Sequence, residues 1–571
     1  MNENEFFFYY VIGLGLVGSI IYFTESFPIH NPKTYLIFIL VILFLNLKNI
    51  KEIFAENIYL IKNNMMFNPF IAILFFIYFM LINMPEIGYD ALAHHNFIAS
   101  TMKWKSYWDS NVEMYVFAVM PHMIDQFYTF IYMLSDSENL IKYFNFFSIV
   151  GSIYILKLIF KLSSINLNHY YLIVLFILSF PITYLLASTA FIDLTLTLFL
   201  LSAFYFLLKF NKDRKIIFLL YMSTFLGFSL ASKAISIIYV FIFFLISIYF
   251  LKNENIKDII KKIIFCSIPI FFLGAYPYVN AFFLTENPLF PLYNDVFQSS
   301  YYHHTKFNNG YSSGVSYDFI DKITFKSNKY IEGYRGSAGF TLGMAFLPLL
   351  VLSFYKKNYA AIKFYILGAV LVILLCYGTA YLRYLYTAFL FCFIAMIASI
   401  DNKFLSKKEI NVWIIILITS IVLNIIFLNK ATHANGILSK KIITSNIAKE
   451  RFLKNINPHR LAIRKVNELN IKNENTMFLT YPLTFELRSE AVLVEWYNYK
   501  FQDEILALKT SDEFIEITQN YSIRYIIIDD TYGEVRYKLD KNTNKKILNI
   551  IKSKSTLIEK INNLEIRRVN N

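Results

Sequence analysis

The sequence predicts a polytopic α-helical membrane protein with about thirteen transmembrane helices and a small α/β domain at its C-terminal end. Charged residues make up only 16% of the 571 residues and hydrophobic ones 57%, against roughly 25% charged in an ordinary soluble domain. Long apolar runs recur over residues 1–429, each approaching the ~20 helical residues needed to cross a hydrocarbon core of ~30 Å. From residue 430 onward the chain turns polar and its apolar runs shorten to strand length.

The apolar runs lie near 6–23, 34–47, 68–84, 139–160, 170–187, 191–208, 216–231, 234–251, 263–283, 338–355, 361–377, 381–399 and 411–428. Met1 to Glu5 is acidic and no small-residue cleavage site follows, so the first run is expected to stay in the membrane. Cations cluster in alternate connections: Lys48, Lys51 and Lys62; Lys161; Lys209, Lys212, Arg214 and Lys215; Lys252, Lys257, Lys261 and Lys262; Lys356, Lys357 and Lys363; Lys403, Lys407 and Lys408. The intervening short connections, such as Glu25 to Pro32, lack them. Cation-rich loops mark the cytoplasmic side. This alternation puts the N-terminus inside and the loops 85–137 and 285–337 outside, together with residues 430–571. It also accounts for the net charge of +14 as topology and contact with anionic lipid, with no nucleic acid partner implied.

Loop 85–137 carries two stretches of helical apolar spacing, about 90–104 and 121–134, rich in Trp, Tyr and Phe. They are expected as helices lying on the outer leaflet. Loop 285–337 starts with Asn287-Pro288-Leu289-Phe290-Pro291 and contains His303-His304 and Arg335. Its length argues for a functional role. In the tail, Thr476 to Thr480 and Tyr525 to Asp529 read as buried strands, with helices near 458–470 and 511–520. No glycine-rich nucleotide fingerprint or P-loop occurs. Cys266, Cys376 and Cys392 all sit in apolar runs, without metal-ligand spacing or a disulfide framework.

Ionisable residues gather where spans reach the outer face. Asp90, His94 and His95 follow the third run; Asp193 begins the sixth; Lys233 separates the seventh and eighth; Arg335 precedes the tenth; Arg383 begins the twelfth. Snorkelling is the plain reading of Lys233 and Arg383, and helix capping that of Asp90 and Asp193. Against it, both cations lie on the side where cations are disfavoured. A basic pocket there suits a phosphate headgroup, and Asp90 suits a general base. Asp193 then positions an acceptor or helps hold a metal. If residues 90–103 are α-helical, Asp90 and His94 share a face. Adjacent α-helical side chains diverge by about 100°, so His94 and His95 are not expected to ligate one ion. An acid/base or hydrogen-bonding role is favoured for them over a divalent metal, although one His from each of the pairs His94-His95 and His303-His304 meeting at Asp90 stays open.

In order and sidedness, these motifs resemble the GT-C superfamily of integral-membrane glycosyltransferases, in particular the bacterial protein O-mannosyltransferase and aminoarabinose transferase members. The resemblance rests on Tyr89-Asp90-Ala91-Leu92-Ala93-His94-His95, Phe191-Ile192-Asp193, Lys233, Asn287-Pro288-Leu289-Phe290-Pro291 and Arg383-Tyr384. It implies a bacterial inner-membrane enzyme that moves a sugar from a polyprenyl-phosphate donor to a glycan, lipid or protein hydroxyl. It implies Asp90 as base and Lys233 and Arg383 beside the donor phosphate, while leaving metal dependence open. No Trp-Trp-Asp motif of oligosaccharyltransferases is present. Two alternatives remain at this level: a surface-polysaccharide polymerase or ligase, and a lipid-linked sugar transporter or flippase. Residues 1–67 form two spans that many members lack.

Overall fold

The computed structural model describes residues 3–45, 69–305, 314–327, 330, 338–428 and 440–570. Arg335, one of the expected cations, lies outside them.

Among the described residues, each apolar run falls mainly on helix. Six helices are long and apolar enough to cross a bilayer: Phe7–Thr24, Glu138–Leu162, Asp193–Asp213, Tyr359–Gly378, Leu382–Ser399 and Lys407–Leu428. Two bent pairs raise this to eight if each pair is one span. Leu167–Ser179 joins Pro181–Ser188 at 55°, and Ile256–Gly274 joins Tyr276–Thr285 at 58°. Proline explains both breaks: Pro181 and Pro277 stand in the first turn of the second helix of each pair, where a missing N–H is harmless but continuation of the preceding helix is not. Five further runs form apolar helices of 10–17 residues. Length and composition thus support six to eight crossings among the described residues, short of the thirteen expected. The protein is a multi-pass membrane protein.

The centre of the bundle is Asp193–Asp213 and Leu382–Ser399, with 89% and 94% of their apolar windows buried. Lys407–Leu428, at 28%, presents apolar surface outward, as a lipid-facing helix does. The first helix, Glu3–Thr24, packs on Met123–Ser135. Gly18 is the contact point: a Cβ there would sit 2.6 Å from the sulfur of Met123. The role left open for residues 1–67 is thereby answered in part, because the first helix buttresses the first loop.

Residues 440–570 form helices around a five-stranded sheet of order β2-β1-β3-β5-β4. The strands are β1 Asn475–Leu479, β2 Ala491–Leu493, β3 Ile523–Asp529, β4 Ser555–Ile561 and β5 Leu564–Val569. β2, β1 and β3 are parallel, and β5 and β4 join as an antiparallel hairpin. The expected helices stand at Pro458–Leu469 and Ser511–Asn520. The second begins in a reciprocal capping box between Thr510 and Glu513, which satisfies two otherwise orphaned donors.

This sheet domain meets both long loops. Phe485 N donates to Leu92 O at 3.1 Å, and Val116 N to Tyr497 O at 2.8 Å. Tyr499 Oη donates to Ser300 O at 2.5 Å. Both helices expected on the leaflet form, in the ranges Asn96–Lys105 and Met123–Ser135. They are sandwiched between spans and sheet domain, with Ile98, Ala99 and Met102 fully buried.

Candidate functional site

The segment leading to Asp90 is held by one buried carboxylate. Glu86, 1% exposed, accepts from the backbone N–H groups of Ile87 at 3.0 Å and Gly88 at 2.8 Å through Oε1. Its Oε2 accepts from Ala190 N at 2.9 Å. Glu86 therefore ties the Asp90 segment to the corner that precedes Asp193. Gly88 permits the close approach: a Cβ would lie 3.1 Å from both Glu86 Oε1 and Thr189 Cγ2. Asn145 fixes the other side of that corner, donating to Thr189 O at 3.0 Å and Phe191 O at 2.9 Å.

Four expected site residues converge. Arg383 Nη2 donates to Asp90 Oδ2. Lys233 Nζ donates to Asp193 Oδ1 at 2.7 Å. The ammonium of Lys233 lies 4.0 Å from the ring centre of Tyr384. The guanidinium of Arg383 lies 4.5 Å from that of Phe191 and 4.7 Å from that of Tyr381. Neither cation snorkels: the Arg383 side chain is 6% exposed and that of Lys233 17%. Asp193 does not cap its helix; its Oδ1 takes Lys233, and its buried Oδ2 has no hydrogen-bond partner. Nε and Nη1 of Arg383 are likewise buried and unpartnered. Buried donors without acceptors are costly, and here they sit on a cation at the mouth of the bundle.

Electrostatics act on Asp90 in opposite senses. Burial raises its pKa, but the Arg383 guanidinium, then His95 and His94, outweigh it and hold the carboxyl below its ordinary value.

The histidines correct two expectations. Residues 91–95 form a π turn, with Asn96 N bonded to Ala91 O, before the α-helix Asn96–Lys105. Its i→i+5 bonding slightly reduces the rotation per residue, and His94 still acts electrostatically on Asp90. The two imidazoles do not diverge; their centroids are 5.1 Å apart. His94 Nδ1 bonds the Tyr115 hydroxyl at 2.6 Å, and that hydroxyl donates to Ala93 O at 3.1 Å. His95 Nδ1 bonds Asp125 Oδ1 at 2.7 Å. Burial pushes His94 down to about 3, so it is neutral at pH 7. Among the described residues, the cluster with metal-ligand spacing is His94, His95 and Asp125, their donor atoms within 4.8 Å of one another. Neither Asp90 nor the second pair belongs to it; His303 instead packs its ring 4.6 Å from that of Tyr499.

Asp125 escaped the sequence reading. In the first turn of a helix it looks like an ordinary partner of the helix dipole, and its relation to His95 spans 30 residues. Tyr497, buried over the site with its ring 5.7 Å from Tyr115 and 5.0 Å from Phe117, also gave no local signal.

The fold is similar to that of a solved protein, ArnT. The crystal structure of ArnT from Cupriavidus metallidurans bound to undecaprenyl phosphate matches with a TM-score of 0.55 over 87% of this chain and 97% of that one, at 12% identity. The apo form of the same protein matches with a TM-score of 0.50 over 87% and 97%, at 11% identity. No protein-family model and no curated protein sequence matches the chain.

Proposed function

We propose that the chain is an inverting membrane glycosyltransferase, taking a sugar from a polyprenyl-phosphate donor to a hydroxyl on a glycan, lipid or protein at the outer face. The observation that carries this reading is the pairing of Asp90 with an Arg383 whose remaining donors are buried and unpartnered, beside Lys233. A phosphate supplies the acceptors those donors lack, and a guanidinium fork suits it. The likeness to a fold solved with undecaprenyl phosphate bound supports the same donor class.

In the reaction, the acceptor oxygen attacks the anomeric carbon. The bond from that carbon to the phosphate oxygen breaks, and polyprenyl phosphate leaves with the bonding electrons. The acceptor proton passes to Asp90. Arg383 and Lys233 stabilise the charge growing on the departing phosphate, and Asp193 holds Lys233 in place. Clustering of the ionisable groups at one end of the spans favours transfer over transport, which places them near the midplane.

The test is transfer of radiolabel in proteoliposomes from a native polyprenyl-phosphate-sugar pool, comparing wild type with Asp90→Asn. We expect transfer to fall by about 10² or more, the range for removing a general base, with donor binding retained. Full activity in the variant would remove Asp90 from the role of base. Absence of transfer by the wild type across several donor pools would favour the transporter alternative.

A further inference from the structure

We infer that His94, His95 and Asp125 form a binding site for a single divalent transition-metal ion, of the zinc class rather than magnesium or calcium. The inference rests on geometry and stands whether or not the transfer reading holds.

The donor set is two imidazoles and one carboxylate, all within 4.8 Å of one another. That composition belongs to zinc and related first-row ions; Mg²⁺ and Ca²⁺ prefer all-oxygen shells. Three protein ligands leave a position open, as in catalytic rather than structural zinc sites.

Two further observations point to an ion. Asp125 is fully buried, and its Oδ2 has no hydrogen-bond partner. A hydrogen bond from His95 alone leaves half of that carboxylate unsatisfied, a costly arrangement. The second observation concerns the His94 tautomer. The Tyr115 hydroxyl spends its proton on Ala93 O, so at 2.6 Å it accepts from His94 Nδ1–H. His94 Nε2 then carries the lone pair. Fixing one ring nitrogen by a hydrogen bond so that the other can ligate is the usual arrangement around a metal-bound histidine.

The two sequence-adjacent imidazoles come from the π turn with their ring centroids 5.1 Å apart. Bonds of about 2.0–2.2 Å to a tetrahedral ion imply donor separations of about 3.4 Å, inside the 4.8 Å limit within which these donors lie. The site is built across two elements of the first loop, the π turn and Met123–Ser135, so an ion also cross-links them.

The test uses the full chain in detergent, stripped with a chelator, incubated with Zn²⁺, Mn²⁺ or Mg²⁺, desalted, and assayed for bound metal by mass spectrometry. The expected result is about one Zn²⁺ per chain, with a rise in the unfolding temperature on binding. Mg²⁺ should not be retained. His94→Gln and Asp125→Asn should each lower retained Zn²⁺ at least tenfold. His94 is the more exposed ligand, so its variant decides the matter if Asp125→Asn fails to fold. Failure of the wild type to retain Zn²⁺, or equal retention by His94→Gln, overturns the site and leaves His95 and Asp125 a hydrogen-bonded pair only.

Discussion

Arg383 spends one nitrogen on Asp90 and buries two more without acceptors. Lysine keeps the charge but lacks the fork. Arg383→Lys should therefore raise the donor KM about tenfold or more, roughly 1.4 kcal/mol per decade, while acceptor KM moves less; steady-state kinetics with both substrates varied would show it. The same ion pair sets a pH expectation. Because Asp90 is held below its ordinary value, it stays ionised at every pH above about 3.9. Its linkage stabilises the fold above that pH and is lost as pH falls through the lower folded value. The acid limb of the transfer profile should accordingly stay flat down to about pH 4, and an acid limb near pH 6 would assign the base to another group. Asp125 shows why part of the site was hidden in the sequence: a single carboxylate in a first helical turn has an ordinary explanation, and only the fold brings His95 to it.

At the scale of the element, the segment 84–96 is fixed chiefly by hydrogen bonds to its backbone. Glu86 satisfies three backbone N–H groups on two segments. Glu86→Ala leaves buried donors unpaired, at about 1–3 kcal/mol each, and should lower the unfolding temperature. Being remote from the acceptor proton, it should also depress kcat more than donor affinity. Helices and strands with strong local signals were legible: apolar helices, β1, β3, and the helix Ser511–Asn520. The hairpin of β4 and β5 was not, since β4 buries only its end residues, Ser555 and Ile561, and lacks the alternation that marks a half-buried strand. The π turn was invisible for a related reason, because residues 91–95 obey the apolar spacing of any helix and nothing in them announces an i→i+5 bond.

At the scale of the whole molecule, the sheet domain is joined to the bundle by charge as well as by backbone. Arg460, 2% exposed, donates to Glu138 Oε1 at 3.0 Å and to Glu486 Oε1 at 2.8 Å. Removing one partner of a buried pair costs about 3–5 kcal/mol, so Arg460→Ala should lower the unfolding temperature measurably and make residues 440–570 more readily cleaved by protease. Sidedness yields a separate expectation. The alternation of cations in the loops puts the sheet domain outside; a cysteine introduced at Ile471, 88% exposed, should react with an impermeant maleimide from the outer side of intact cells. Labelling only after lysis would invert the topology. The gathering of both long loops against one domain was legible in outline, because charge alternation assigns sides. Which residues touch was not, since those contacts join segments hundreds of residues apart.

The contact of Glu486 N with the Ser100 hydroxyl joins residues 386 positions apart, and Phe485 meets Leu92 beside it. At about 5–20 residues per second of synthesis, the stretch around Asp90 waits about 20–80 s in the membrane before its last partners exist. During biogenesis the nascent bundle thus carries its carboxylate and its histidines without a roof, and the contacts that cover them form only once the tail has folded.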